Sequence, residues 1–454
     1  MITVQLVNDP QQHDFRSLSA PQVMPDCDCA CPVDDLDVPT LDMPTFYSLE
    51  LTPSCNNRCP GCSNVFFEDV ELRVMAPARR PMPFARWREV LAKIAPYATR
   101  LKVTGGEATL HPDFELIIEE IERLGIKFTL FTNARWLNPP HVVEFLRDKE
   151  TCAGLLISLH GATAEAHEAF TGIKGSFEET IANIRLATAA GITVHTSCVF
   201  TSHNVGQLAE VEALSERLGG HATVFNRYIG QAVEDIRLTP QELAMATRQV
   251  DQLYYAGKNV RFGTCIPLCF VESTSTGCLA GTAYCTLDPW GNMRPCNHTP
   301  WLTGNILSDS LEKAWNSAWM NQFRQLIPDS GCTTCSLFSK CRGGCRADAI
   351  LNGTTKDPLM RKPALIPLHA IADPSPIRLY RHAKTTLIGE VREQKFGYLL
   401  VNGDKLVPVT EEFVPCVSAF GANPSLQDIY NHFGQPALDF TGELYEQGLL
   451  SLAW

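Results

Sequence analysis

The sequence predicts an α/β protein: a partial (β/α)6 barrel, then a loop-rich segment organised by cysteines, then a small α+β domain of winged-helix type. Three observations predict it. From Phe46 to about residue 230, short β-branched or aromatic runs alternate with amphipathic stretches, the rhythm of βαβ units on a parallel sheet. Nine of the eighteen cysteines lie in 265–345, a stretch too rich in loops to bury a conventional core without metal. Residues 383–454 read as strands followed by helical stripes.

Each element follows in order. Residues 1–45 are proline-rich and acidic, with CDCAC at Cys27, Cys29 and Cys31, and read as an irregular extension. The barrel occupies 46–235, with strands in FYSLELT, RLKVTGG, KFTLFTN, GLLISLHG, TVHTSCVF and ATVFNRYIG. Trp87, Val90, Leu91 and Ile94 form one helical stripe between strands, and Phe114, Ile117, Ile118 and Ile121 form another, both at i, i+3, i+4, i+7. Residues 236–277 bridge to the cysteine-rich domain, 278–360. A proline-rich linker follows at 361–382. The final domain, 383–454, has strand-like TTLIGEV, FGYLLVNG and KLVPVT, with Asn402-Gly403 as a hairpin signal. A stripe of Leu426, Ile429, Tyr430 and Phe433 opens its helices.

The formal net charge of −12 speaks against nucleic-acid binding, which needs clustered Lys and Arg. No apolar run is long enough to span a membrane, and the N-terminus lacks an export pattern. A cytoplasmic protein is expected, so clustered cysteines point to metal more than to disulfides.

The segment CNNRCPGCSN, 55–64, follows the first strand and so sits on the loop at the barrel's catalytic end. A zinc knuckle would borrow a fourth ligand from elsewhere. The compact C-x3-C-x2-C spacing of Cys55, Cys59 and Cys62 suits three corners of a 4Fe–4S cluster better. On a βα barrel, this motif together with TGGEATLHPDF (104–114) resembles the radical S-adenosylmethionine (radical SAM) enzymes. The resemblance implies that the fourth iron is left for SAM, whose reductive cleavage yields a 5′-deoxyadenosyl radical that abstracts hydrogen. It implies Glu107 at the SAM ammonium, Gly105 and Gly106 beside its methionine portion, Ser158 at the ribose, and Asn133 and Arg227 as further contacts. Strand-end turn roles for Ser158 and Asn133, and an acid partner for Arg227, are the structural alternatives. Relatives often carry an aromatic where this chain has Gly61, and read ISLDG where it has His160. His160 is a candidate proton donor or acceptor, or a structural histidine.

CLAGTAYCTLDPWGNMRPC (278–296) and CTTCSLFSKCRGGC (332–345) resemble the SPASM domain, which holds one or two auxiliary 4Fe–4S clusters. Two zinc ribbons are the alternative. The resemblance assigns Cys278, Cys285, Cys296 and Cys345 to the first cluster, and Cys332, Cys335 and Cys341 to the second. Where the family places one more cysteine after a DP pair, this chain has Met360. An open iron, Asp357, Cys265, Cys269, Cys416 or the CDCAC cysteines are the alternatives for that corner.

GYLLVNGDKLVPVTEEF through LYEQGLLSL resembles the PqqD-like element that binds leader peptides of ribosomally made natural products. There the leader adds as a strand, and Lys405–Val409 is the candidate edge; Pro408 suits an edge strand. A DNA-binding winged helix is disfavoured, since four Lys and Arg face nine Asp and Glu; a structural cap on the barrel is the bland alternative. The expected function is radical SAM modification of a precursor peptide: crosslink, thioether, epimerisation or backbone excision. An external electron donor, such as a flavodoxin or ferredoxin, would be required. The alternatives are maturation of a folded protein or a small-molecule cofactor, or a non-catalytic metal-binding protein.

Overall fold

The computed structural model describes residues 4–7, 40–62, 80–230, 236–270, 277–329, 332, 335, 338–360, 377–403 and 405–453. Cys27, Cys29 and Cys31, and residues 361–376 of the expected linker, lie outside the described residues. The described chain forms two compact units: 40–360, and a smaller one joining 4–7 to 377–453.

Strand β1, Val4–Val7, belongs to the small unit. The large unit is built on β2 (Phe46–Glu50), β3 (Arg100–Thr104), β4 (Lys127–Thr132), β5 (Cys152–Ser158), β6 (Val194–Val199), β7 (Ala222–Asn226), β8 (Val260–Phe262), β9 (Tyr284–Leu287), β10 (Asn292–Arg294) and β11 (Gly304–Asn305). They lie in the order β11-β10-β9-β2-β3-β4-β5-β6-β7-β8. From β9 through β8 every pairing is parallel; β10 and β11 add antiparallel at one end. Parallel pairing needs crossovers, and helices supply them. The two stripes read from sequence are buried: Trp87, Val90, Leu91 and Ile94 on Phe84–Ile94, and Phe114, Ile117, Ile118 and Ile121 on Phe114–Arg123.

The six expected strands are present, but the sheet exceeds them. β8 comes from the stretch read as a bridge, and β9 from the cysteine-rich segment, so breaks at 235 and 278 both cut a single sheet. β9 pairs in parallel with β2, setting Cys285 opposite Tyr47. A buried ion pair from Glu50 to Arg294, with Asn297 donating to the same carboxylate at 2.7 Å, fastens β2 to β10.

In the small unit β1 pairs in parallel with β12 (Ile377–Tyr380). The extension 1–45 is therefore not irregular throughout, and the expected linker contains a strand. β13 (Lys384–Leu387) pairs with β17 (Leu450–Ala453), while β14 (Glu390–Gln394), β15 (Gly397–Asn402) and β16 (Lys405–Val409) form a three-stranded antiparallel sheet. Leu400, Val407 and Val409 pack with Val417, Ile429, Phe440 and Leu444 of the helices. Helix Leu426–Glu446 breaks at Gly434, φ +79°, just before Pro436. Leu426 and Ile429 are buried as the stripe requires, but Tyr430 is 43% exposed: at i+1 from Ile429 it points about 100° away from the core face.

Ser425 caps this helix reciprocally, its hydroxyl accepting from the Asp428 amide while Asp428 accepts from the Ser425 amide. Ser425→Ala is expected to cost about 1 kcal/mol, read as faster amide hydrogen exchange over residues 426–433.

Candidate functional site

The C-terminal ends of parallel strands share one edge of the sheet, and the predicted site residues gather there. Cys55, Cys59 and Cys62 lie on the loop after β2. The Cys55 sulfur accepts from the Asn57 amide at 3.4 Å and from Asn133 Nδ2 at 3.7 Å. Asn133, just beyond β4, also donates to Asn56 Oδ1 at 2.7 Å. Arg135 holds the loop from the other side, donating to Asn56 O at 2.8 Å and Asn57 Oδ1 at 2.9 Å. Burial, with the nearby Glu107 and Cys62, pushes the Cys55 pKa up to about 12 despite the Asn57 amide. Capturing iron there must therefore release a proton.

Glu107 is only 1% exposed. Its Oε1 accepts from Thr132 Oγ1 at 2.8 Å and Thr109 Oγ1 at 2.9 Å, and its Oε2 from the Asn133 amide at 2.8 Å. Burial raises its pKa and these donors oppose the rise. A carboxylate offers about four lone-pair sites, so Oε2 keeps one for a cation. Gly106 is required by approach: a Cβ there would lie 2.3 Å from Ser54 O. Its amide and that of Glu107 donate to Thr52 O and Ser54 O, which ties the GGE turn to the cysteine loop. Thr132, Asn56 and Arg135 were not singled out from sequence; a polar TNAR run ending a buried strand is the signal that could have found them.

A cavity of about 170 Å³ opens here, lined in part by Gly61, Lys102, Phe131, Ser197, Asn226 and Tyr228. Lys102 Nζ stands 4.2 Å from the Phe131 ring centroid. A Cβ on Gly61 would meet Ile236 at 2.4 Å, Tyr228 at 2.9 Å and Phe170 at 3.2 Å. The space that an aromatic at 61 would enter is taken by Ile236 and by two aromatics from elsewhere. His298 also lines the cavity; its Nδ1 is buried without a hydrogen-bond partner, and burial holds its pKa down near 3.

Two expected site residues have partners within the protein. Arg227 turns both Nη atoms onto Asp357, each at 2.9 Å, with Asp348 at 3.2 Å from Nη2. Its side chain is 1% exposed and held in an ion pair, and it also lines the cavity. His160 is buried, does not line the cavity, and accepts the Val199 amide on Nδ1 at 3.3 Å. Its carbonyl accepts from Asn204 at 2.8 Å and its ring lies 4.1 Å from Phe170. Burial, then His167, lower its pKa well below the usual value, leaving a neutral strut between β5 and β6. Ser158 ends β5 at the same sheet edge, half-buried and in register with Ser197.

Residues 49–214 match the family model of the radical SAM superfamily, and residues 278–342 match that of SPASM, an iron–sulfur cluster-binding domain. The chain carries a radical SAM domain and a SPASM domain. It is an enzyme, and these domains bring a 4Fe–4S cluster with SAM and auxiliary iron–sulfur clusters. The chain is 28% identical over 336 residues to the mycofactocin maturase MftC of Mycobacterium ulcerans, covering 70% of this chain and 87% of that one. It is 26% identical over 352 residues to the AdoMet-dependent heme synthase of Methanosarcina barkeri, covering 71% and 96%. Among solved structures, SuiB of Streptococcus suis bound to its precursor peptide SuiA superposes with a TM-score of 0.57 at 18% identity, covering 70% and 75%; this likeness concerns the fold.

Within the radical SAM domain, the donor set fits its cofactors: three sulfurs on one loop, amide donors onto Cys55, and a buried carboxylate on the adjoining turn. Across the SPASM segment the cysteines differ in their surroundings. Cys285 lies in β9, 0% exposed in the large hydrophobic core, and its pKa is raised by burial against the one opposing charge of Arg324. Cys265 stands beside Cys278. A hydrogen bond with Cys265, then Arg346, pull the Cys278 pKa down against burial. Cys345 and Cys296 both act on, or are acted on by, Cys278, so Cys265, Cys278, Cys296 and Cys345 form one group. Asp357 is not an open ligand: it accepts from Arg227, from the Cys345 amide at 2.7 Å and from the Leu359 amide at 2.9 Å. Among the described residues no three His, Cys, Asp or Glu converge as ligands of one ion would.

Cys285→Ala is expected to leave the iron content of reconstituted enzyme unchanged, while Cys265→Ser lowers it by about four atoms per chain, one cluster's worth; colorimetric iron and sulfide analysis reads both.

Proposed function

We propose that this enzyme modifies a ribosomally made precursor peptide, capturing its leader with the C-terminal unit and acting on its core at the radical SAM site. The observation that carries the chemistry is the convergence of Cys55, Asn133 and Glu107 at the sheet edge beside the cavity. Cluster and SAM supply a hydrogen-abstracting radical when bound. The chain's own residues hold and orient: Cys55, Cys59 and Cys62 carry the iron, and Glu107 Oε2 receives the SAM ammonium. Gly105 and Gly106 admit the methionine portion, with Asn133 and Ser158 along the nucleoside. Tyr228 and Phe170 offer the aromatic surface that Gly61 lacks. The buried walls exclude water from a reactive intermediate.

The peptide reading draws on two supports. Relatives include a mycofactocin maturase and, by fold, a protein solved with a precursor peptide. The small unit has a three-stranded sheet followed by helices, with β16 as an outer strand, which is the pattern of a PqqD-like element. A leader would add to β16, whose main chain gives affinity and whose neighbours give selectivity. In this reading 383–454 is the recognition domain, 46–235 the catalytic one and 278–360 the auxiliary one. A flavodoxin or ferredoxin supplies electrons in the cytoplasm. A second reading, modification of a small-molecule cofactor, is favoured by the likeness to a heme synthase across 96% of that chain.

The test is co-expression of the full chain with a short peptide encoded beside it, followed by mass spectrometry. A mass change in the peptide, lost on Cys55→Ala, is the expected result. An unaltered peptide, with turnover of a tetrapyrrole or other small molecule, would establish the second reading instead.

A further inference from the structure

The segment CIPLC, 265–269, was expected to bridge domains, yet both of its ends touch cysteines of the auxiliary region. Cys265 is hydrogen-bonded to Cys278 of the first group. Three residues on, the Leu268 amide donates to the sulfur of Cys341, in the second, at 3.4 Å. A turn closed by Phe270 N–H to Pro267 O at 2.8 Å then carries the chain through Cys269. The facing segment CRGGC has the same spacing, and the resemblance already divides it, Cys341 to one cluster and Cys345 to the other. The two segments are in close contact. A Cβ on Gly344 would lie 2.9 Å from Pro267 Cγ and 2.7 Å from Asp357 Oδ2, so only glycine permits the approach.

We propose that CIPLC mirrors CRGGC: Cys265 serves the first auxiliary cluster, and Cys269 supplies the fourth thiolate of the second, replacing the cysteine lost at Met360. The proposal rests on the SPASM reading and not on the identity of the substrate. The competing donors are weaker. Met360 Sδ does lie 3.6 Å from Cys332 Sγ, but a neutral thioether is a poorer iron ligand than a thiolate in a cluster held by thiolates. Asp357 is consumed by Arg227 and two amides. Cys416 is buried in the core of the small unit. Cys269, by contrast, directly follows Leu268, whose amide donates to Cys341 Sγ at 3.4 Å. Met360 then covers the Cys332 side of the cluster as a soft, apolar neighbour.

The experiment is anaerobic reconstitution of the full-length protein, with iron and sulfide counts and low-temperature EPR of the reduced state. Wild type is expected to hold about twelve irons in three clusters. Cys269→Ser should drop to about eight, losing one auxiliary EPR signal and keeping the radical SAM signal that shifts on adding SAM. Met360→Leu should keep about twelve. The double variant Cys269→Ser with Met360→Cys, which returns the thiolate to the family's position, should regain about twelve and so distinguishes ligand loss from misfolding. The proposal is overturned if Met360→Leu loses about four irons while Cys269→Ser keeps them, if the double variant fails to recover them, or if wild type holds only about eight. None of these counts depends on peptide turnover, so they stand or fall separately from the proposed substrate.

Discussion

The large unit depends on one buried ion cluster. Arg227, at the end of β7, holds Asp357 with both Nη atoms and Asp348 with one. Replacing such a pair by apolar residues need not destabilise a fold, but removing one partner strands the other, at about 3–5 kcal/mol. Its contribution is therefore geometric. With one carboxylate Asp357 holds a barrel strand end, the amide of Cys345 and the amide of Leu359, so the wall of the cavity and the cysteine segment are set by the same side chain.

The clamp also separates two electrostatic regimes. On its inner side the cavity contains Lys102 above Phe131 and an unpartnered His298 nitrogen, kept neutral by burial and by nearby cations. On its outer side lie thiols whose pKa values burial drives up, apart from Cys278, which Cys265 and Arg346 pull down. Iron held by these thiols would favour their deprotonated form. Arg227 also lines the cavity, its charge set against Asp357 and Asp348. Lys102 is a second cation lining it.

Most of the fold was legible. Periodicity located the strands because parallel strands buried on both faces leave apolar runs, and the two helical stripes are buried residue for residue. What escaped was short. β8 has three residues and β9 four, below the length at which alternation can be counted, and β9 carried a cysteine that motif spacing claimed for iron. Val4–Val7 escaped because its partner, Ile377–Tyr380, lies far along the chain, and pairing over that separation leaves no local trace. At the site, Cys55, Asn133 and Glu107 were found by motif. For Arg227 and His160 a structural role stayed open beside a functional one, because a strand-end position fixes where a residue sits, not whether a neighbour has already taken its polar atoms.

Departures from a family motif read in sequence as losses, yet here side chains of similar chemistry from other segments stand close by. Gly61 lacks the aromatic, and Tyr228 and Phe170 stand where a Cβ would be. Cys285 occupies a motif position inside the core, and Cys265 stands beside Cys278. Met360 occupies a cysteine's place, and Cys269 lies one residue from a direct bond to Cys341. A cluster or a nucleoside requires a donor or a ring at a position in space, and it is indifferent to which segment supplies it. In an open sheet whose strand ends all face one edge, many segments can reach each position. A ligand can therefore migrate along the sequence while the site it serves stays where it was.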